Sequence, residues 1–382
     1  MTTTSIIAAH QLIRVQSVAL HRVRVPLVEP FRISNGVVAE KDAILIEVTT
    51  AGGVVGWGEA SPMSGSFYSD DTPERAWEVL SQQLVPELFE AGELEAPRFF
   101  EVLRKSPGEP FAKAGLEGAL WHAYSQTVGL PLCELLGAHS RAIPSGVAIG
   151  IYDHTEVLLE RVERYIAEGY QRVKLKIQPG WDIEPVASVR ARFPDVPLMV
   201  DANASYSIAD QKIFQELDTF GMMMIEQPLA REAHDEAAQL QRILRTPLCA
   251  DESADSLEAL GSLIEKRAAR IVNIKIQRVG GLSEACLMLE QARAAGLECW
   301  VGTMPELGVA SAQGLHLAAH AGFTHPTDIE ASARWYVDDV IEPPIEIDHH
   351  GLIRLPAGSG LGFSVSREKV EKYRTTVEKF AA

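Results

Sequence analysis

Hydrophobic and polar positions alternate from Val18 to Val48, through VALHRVRVPLV and AILIEV, before the turn-like Ala51-Gly52-Gly53. A period of two ahead of a glycine-rich break predicts antiparallel strands joined by loops. After Thr72 the period changes. PERAWEVLSQQLVPELFE and AKAGLEGALWHAYSQTVG carry apolar residues at spacings of three and four, the mark of helices with a buried face. Strands followed by helices predict an α+β unit over residues 1–140.

Past Arg141 short β-branched runs alternate with amphipathic helices. The runs are IPSGVAIGI, RVKLKI, PLMVDA, MMMIEQ, PLCADE, RIVNIKI and ECWVGTM. Between the first two lies TEVLLERVERYIAEG, whose Val157, Leu158, Val162, Tyr165 and Ile166 share one face. Asp153 and Glu156 are placed for a capping box, and Gly169 for a helix stop. Repeated strand–helix units, closed by an eighth strand around HPTDIEA, predict a barrel over residues 141–340. An open doubly wound sheet is the alternative, but neither GxGxxG nor GxxxxGK[ST] follows the first strand. Residues 341–382 read as short extended pieces and then one charged helix, REKVEKYRTTVEKF, expected to return to the first unit.

Composition narrows the class. The 382 residues correspond to about 2.5 domains at the usual domain size, enough for a large core. With 35 Lys and Arg against 52 Asp and Glu, the net charge of -17 disfavours nucleic acid or an anionic membrane as partner. No apolar run nears the roughly 20 residues that span a bilayer. Cys133, Cys249, Cys286 and Cys299 lie far apart and form no CxxC, and the N-terminus lacks the basic and apolar regions of a signal peptide. A reduced, cytoplasmic enzyme is the expectation.

The chemistry lies in charges on the barrel strands. Lys174 and Lys176 are two apart, so the pleat puts both on one face. Asp201, Glu226 and Asp251 each end a run, and Lys275 lies within RIVNIKI; from Lys176 the steps are 25, 25, 25 and 24 residues. Each step is the length of one strand, one helix and two short loops, so five successive strands bring a charge to the end of the barrel where active sites form. A lone Lys or Asp at a strand end is usually a solvated loop flank, but five at near-constant spacing are not accounted for that way. Three converging carboxylates call for a hard, oxygen-ligated dication such as Mg²⁺ (or Mn²⁺ in its place), and the absence of His or Cys beside them argues against zinc. The flanking lysines, near a cation and partly desolvated, are expected to titrate closer to neutrality and to serve as base and acid. A substrate carboxylate chelated there would have its α-proton acidified through a metal-stabilised enolate. Racemisation or epimerisation follows if both lysines act, and elimination or cycloisomerisation if a leaving group is present.

The segments KLKIQPGWD, VDANASY, IEQPL, ADES and NIKIQRVGG resemble the enolase superfamily, on its muconate lactonizing branch. The resemblance runs from PFRISNG and GWGEA to DIEASARWY and is closest to the N-acylamino acid racemase and o-succinylbenzoate synthase family. It implies an α+β capping domain over a (β/α)7β TIM-like barrel, with the C-terminal segment rejoining the cap. It also implies Asp201, Glu226 and Asp251 as Mg²⁺ ligands, Lys176 and Lys275 as opposed acid/base residues, and Lys174 as the neighbour that helps hold the carboxylate. Asn203 and Glu252 match supporting polar residues, and Arg278 an arginine that tunes Lys275. Two cap loops, Phe31 to Gly36 and Ser61 to Asp71, are the candidate lids. Phe31, Ser34, Tyr68, Met304 and Glu306 are the expected substrate contacts, although Phe67 and Tyr68 could instead anchor the cap core.

One segment departs from the family pattern. A small hydroxyl residue, Gly-Ile-Gly-Arg and a later Asn usually follow the Glu of the seventh-strand loop, whereas this chain reads Met304-Pro305-Glu306-Leu307-Gly308-Val309-Ala310. The loop helps form the substrate pocket, so the exact substrate stays open. The expected activity is racemisation of N-acyl (N-succinyl) amino acids, dehydration to o-succinylbenzoate, or both, on a small-molecule carboxylate in a homo-oligomer. A muconate-type cycloisomerase would use the same five residues. A dipeptide epimerase would place paired aspartates at the eighth strand, where this chain has Asp328-Ile329-Glu330. From another class, a non-catalytic binding protein on the same barrel is disfavoured by the retained lysines and carboxylates.

Overall fold

The computed structural model describes residues 11–64, 70–94, 96–106 and 108–382. The N-terminal alternation folds as an antiparallel meander: β1 (Ile13–Ile33), β2 (Gly36–Thr50) and β3 (Val55–Ala60). Against this sheet lies α1 (Pro110–Val128), a helix buried on all sides over most of its length because the barrel covers its other face. The helix comes so near that a Cβ on Gly58 would stand 1.9 Å from the carbonyl oxygen of Gly115. Only glycine permits that approach, which accounts for a glycine in the GWGEA segment.

The barrel follows. Its strands are β4 (Val147–Ile149), β5 (Val173–Lys176), β6 (Leu198–Asp201), β7 (Ile225–Glu226), β8 (Leu248–Ala250), β9 (Ile271–Ile274) and β10 (Glu298–Val301), parallel and adjacent in chain order. Helices cover them: α2 (Thr155–Glu168), α3 (Ile183–Arg192), α4 (Gln211–Leu217), α5 (His234–Ile243), α6 (Leu257–Lys266), a short α7 (Ile276–Val279), α8 (Leu282–Ala294) and α9 (Gly308–Ala318). The HPTDIEA stretch joins the two edge strands by backbone bonds, Asp328 N to Val301 O at 3.2 Å on one side and Gly146 N to Thr327 O at 2.8 Å on the other. The barrel is thereby closed as (β/α)7β, the architecture the resemblance implied.

Two local expectations fail. Asp153 and Glu156 form no capping box: α2 starts after His154 without a side-chain cap, and Asp153 instead pairs with Arg32 of the β1–β2 hairpin at 2.9 Å. The charged C-terminal run is not one helix either. It is α10 (Arg367–Tyr373) followed by β11 (Arg374–Ala381), which pairs antiparallel with β1 from Ser17 opposite Ala381 to Val23 opposite Arg374. The β-branched Thr375-Thr376-Val377 suits a strand, and the open edge of β1 supplies a ladder that outweighs local helix preference. Among the described residues no helix is long and apolar enough to cross a membrane.

Two buried histidines bind the layers. His122 on α1 accepts from Trp57 N at 3.0 Å; His316 on α9 accepts from Cys133 N at 3.0 Å and faces the carbonyl of Leu361 at 3.0 Å. Burial pushes both rings down to about 4, so they are neutral in the fold. A histidine with a depressed folded value takes up its proton first in the unfolded chain. Its contribution is therefore complete above about 6.5 and lost as pH falls towards about 4. His316→Gln, whose amide can accept and donate along the same directions, is expected to be less stable than wild type at pH 7. By pH 5 it should have gained about 2 kcal/mol on wild type, read from urea unfolding at both pH values.

Candidate active site

Strand register delivers the charges to one level: Lys176 is paired with Asp201 across β5–β6, and Asp201 with Glu226 across β6–β7. Asp251 follows the last residue of β8, and Lys275 follows β9 as the residue that opens α7. All five, together with Lys174, are buried. Lys176 Nζ donates to Asp201 Oδ2 at 2.6 Å and to Asn203 Oδ1 at 2.9 Å. Lys174 Nζ lies 3.2 Å from Glu226 Oε2 and 3.7 Å from Asp201 Oδ2, bonds Asp328, and stands 5.0 Å over the ring of Trp300. Asp251 receives Lys275 Nζ at 2.9 Å and the guanidinium of Arg278.

The electrostatics follow from burial set against these neighbours. Burial opposes charge on Asp251, yet Arg278 and Lys275 hold it well below the usual carboxylate range. Glu226 is pushed up to about 8 by burial and by the charges of Asp201 and Asp251, with Lys174 pulling the other way. Lys174 is held up by its neighbours. Burial would lower it, but Asp328, Glu226 and Asp201 outweigh burial and hold it well above its ordinary value.

The chain turns sharply after the acids. Asn203, Ala204 and Gln227 have φ of 42°, 59° and 36°, left-handed values costly to a non-glycine residue. Side-chain bonds fix them: Asn203 reaches Glu252 Oε1 at 3.0 Å, and the Gln227 amide accepts from Asp251 N at 3.0 Å and Ser253 N at 3.1 Å while donating to Leu229 O at 2.8 Å. Glu252, pushed up to about 7 by burial and Asp251, has its Oε2 enclosed with no hydrogen-bond partner among the described residues.

Lys174, Lys176 and Lys275 line one cavity together with the apolar Phe31, Ile33, Met63, Met304 and Trp335 and the acids Asp328 and Glu330. Phe31 meets Trp335 edge to face at 4.9 Å between centroids. The Phe31 to Gly36 segment is a tight hairpin tip and not a loop; Ser34 bonds Ala202 O at 3.4 Å and Asn35 bonds Asn203 O at 3.3 Å, which ties it to the barrel. Glu306 is buried and accepts from Met304 N at 3.2 Å. Phe67 and Tyr68 lie outside the described residues.

The donor set can be tested against a metal. Among the described residues no three His, Cys, Asp or Glu side chains form a ready metal cluster, because each site carboxylate faces a cationic side chain. The chemistry nonetheless suits a hard dication: Asp201, Glu226 and Asp251 offer only oxygen, and a buried Glu226 raised by two anionic neighbours is a position that a cation would relieve. Cys249, which bonds Trp300 Nε1, is held far above the ordinary thiol range by burial and offers no thiolate.

Residues 15–137 match the mandelate racemase/muconate lactonizing enzyme N-terminal domain, and residues 157–369 the enolase C-terminal domain-like model. The chain belongs to the enolase superfamily. It is 42% identical over 371 residues to an o-succinylbenzoate synthase from Geobacillus kaustophilus, covering 96% of this chain and 98% of that protein. An N-succinylamino acid racemase from Amycolatopsis sp. is 39% identical over 95% of this chain and 98% of its own length. The solved structure of an enolase superfamily member from Listeria innocua superposes with a TM-score of 0.93 at 33% identity, covering 97% of this chain and 99% of that one. The chain is accordingly an enzyme of the superfamily's lyase and isomerase kind.

Several residues of this enolase superfamily site escaped the charge-spacing argument. Gln227 stands inside IEQPL, Asn273 inside NIKIQRVGG and Asp328 inside DIEASARWY, so the motifs carried them although the spacing singled out none for the site. Asn273 Nδ2 donates to Glu226 Oε1 at 2.6 Å, and Asp328 bridges Lys174 and Arg172. Gln227→Ala leaves the buried amides of Asp251 and Ser253 without their acceptor, and it should cost about 3 kcal/mol in denaturant unfolding. A Gln227→Ala protein as stable as wild type would show that this amide does not hold the Asp251 turn.

Proposed function

We propose that this enzyme abstracts the α-proton of a small carboxylate substrate with Mg²⁺, racemising N-succinyl amino acids, forming o-succinylbenzoate by dehydration, or both. The observation that carries the reading is the position of Lys176 and Lys275. They line the same cavity from β5 and from the end of β9, with Asp201, Glu226 and Asp251 on the strands between. Similarity to an o-succinylbenzoate synthase and an N-succinylamino acid racemase over nearly the whole chain supports the substrate class.

In this reading Asp201, Glu226 and Asp251 hold the metal, with Mn²⁺ an acceptable substitute. When bound, the dication withdraws charge from the substrate carboxylate and so acidifies its α-hydrogen. The chain's own groups do the rest. Lys176 and Lys275 reach the α-carbon from opposite faces, one as the free amine that removes the proton and the other as the ammonium that returns one. Lys174, fixed as a cation by Asp328, Glu226 and Asp201, lends permanent positive charge where the carboxylate binds. Phe31, Met63, Met304 and Trp335 enclose the remainder and exclude water. In the dehydration the same removal expels hydroxide, with the opposite lysine poised to protonate it.

Incubation in D₂O with Mg²⁺ and a panel of N-succinyl and N-acetyl amino acids, followed by NMR, should show exchange of the α-proton. Lys176→Ala and Lys275→Ala should each lower racemisation at least about 100-fold while one enantiomer still exchanges. Normal racemisation by either variant would refute the pair. Glu226→Gln should abolish turnover with the fold intact, and turnover that survives exhaustive chelation would exclude the metal.

A further inference from the structure

The segment after Lys275 is held by the cap at two points that neither the lysines nor the metal ligands explain. Gln277, two residues beyond Lys275 and 1% exposed, sends its amide 216 residues back along the chain. Its Oε1 accepts from Ser61 N at 3.0 Å and its Nε2 donates to Glu59 O at 2.8 Å, so both ends of the amide are spent on the backbone at the end of β3. Six residues past Gln277, Ser283 N donates to the buried carboxylate of Glu117 on α1 at 3.3 Å.

The same stretch of β3 is fixed from other directions. The Glu59 carboxylate accepts from Leu307 N at 2.8 Å and Ala310 N at 2.9 Å, at the start of α9 beyond the Met304 loop. Lys41 Nζ, buried, donates to Ser61 O at 2.8 Å and Pro62 O at 3.3 Å. Two residues on, Met63 stands in the cavity wall with Lys275 and Met304. The end of β3 is therefore a strut with its own supports, and Gln277 is its bond to the strand that carries Lys275. Val279 N bonds Lys275 O at 3.1 Å, so a shift of α7 moves the backbone of Lys275 with it.

We infer that Gln277 is a positioning residue for Lys275: through its paired bonds to Glu59 and Ser61 the cap sets the reach of this lysine, whereas the cap meets the surroundings of Lys176 through Asn35 on the backbone of Asn203, a bond that does not involve Gln277. The inference rests on the two-base reading above. Its consequence is asymmetric. Loosening Gln277 should slow proton removal on the face served by Lys275 and leave the face served by Lys176 nearly unchanged, whereas general damage to the fold slows both.

The test is α-proton exchange in D₂O, measured separately on the two enantiomers of one N-succinyl amino acid, in wild type, Lys275→Ala and Gln277→Met. Lys275→Ala identifies the enantiomer whose exchange needs that lysine. Gln277→Met is expected to slow exchange of that enantiomer about tenfold or more, with the other changed less than about threefold. Gln277→Glu keeps the acceptor for Ser61 N and loses the donor to Glu59. It should show the same asymmetry at smaller amplitude, and it takes the place of the Met variant if that fails to fold by circular dichroism. Equal slowing of both enantiomers, or no change in either, overturns the role of Gln277 while the two-base reading stands. A wild type that exchanges neither enantiomer, or a Lys275→Ala protein that exchanges both, overturns the two-base reading and this inference with it.

Discussion

Burying an ion costs several kcal/mol unless a partner of opposite charge and good geometry stands beside it, and this barrel mouth buries many. Asp201, Glu226, Asp251 and Asp328 lie among Lys174, Lys176, Lys275, Arg172 and Arg278, none more than 8% exposed. The arrangement survives because the signs interleave around the barrel. Lys176 meets Asp201, Lys174 meets Glu226 and Asp328, and Lys275 with Arg278 meets Asp251. Interleaving depends in turn on the parallel register, since a slip of one residue on β5 would turn both lysines into the apolar layer under the helices and strand the acids without partners. The charge set thus constrains the register as firmly as the core does.

That balance also bears on what can bind. The five basic side chains outnumber the four acids, so a dication alone would add to a positive excess that a dicarboxylate offsets. An N-succinyl amino acid carries two carboxylates, so its binding together with a dication restores the balance that the side chains already hold. On the proposed function, binding of the pair would then be favoured over binding of the dication alone, as Coulomb's law requires in a poorly hydrated space. The cap contributes to that space: the β1–β2 hairpin docks its tip on Ala202 and Asn203, and Met63, just past β3, lines the cavity with the lysines.

The sequence made the barrel legible because its information is periodic. Short strand runs, intervening helices and a charge every 24 or 25 residues survive any error in a single boundary. What stayed hidden was non-local. Arg374–Ala381 becomes a strand because β1 has an edge to offer, and nothing within RTTVEKFA states that. Asp153 looks like a helix cap until Arg32, far back in the chain, claims it. Lys174 sits beside Lys176 in sequence, but the three carboxylates that raise it come from β6, β7 and the eighth strand. Gln227 and Asn273 were in view as letters of motifs, but a neutral amide has no charge to mark it, and its role as a fastener of Asp251 or Glu226 emerges only with the strands side by side.

The eighth strand shows how such fastening shapes substrate choice. A free α-ammonium needs a carboxylate with capacity to spare, and Asp328 has none: one oxygen is taken by Arg172 and the other by Lys174. Glu330 accepts from Ala148 N at 2.7 Å, lies 3.3 Å from Arg334 Nε, and is pushed up to about 7 by burial, so it too already has its partners. Besides these acids, the cavity that holds the lysines is lined by Phe31, Ile33, Met63, Met304 and Trp335, which offer an ammonium no hydrogen bonds. An acylated nitrogen, uncharged and attached to a chain with methylenes to bury, suits that wall better. On the proposed function, the same contacts that hold Lys174 as a cation therefore favour N-acyl substrates over free amines.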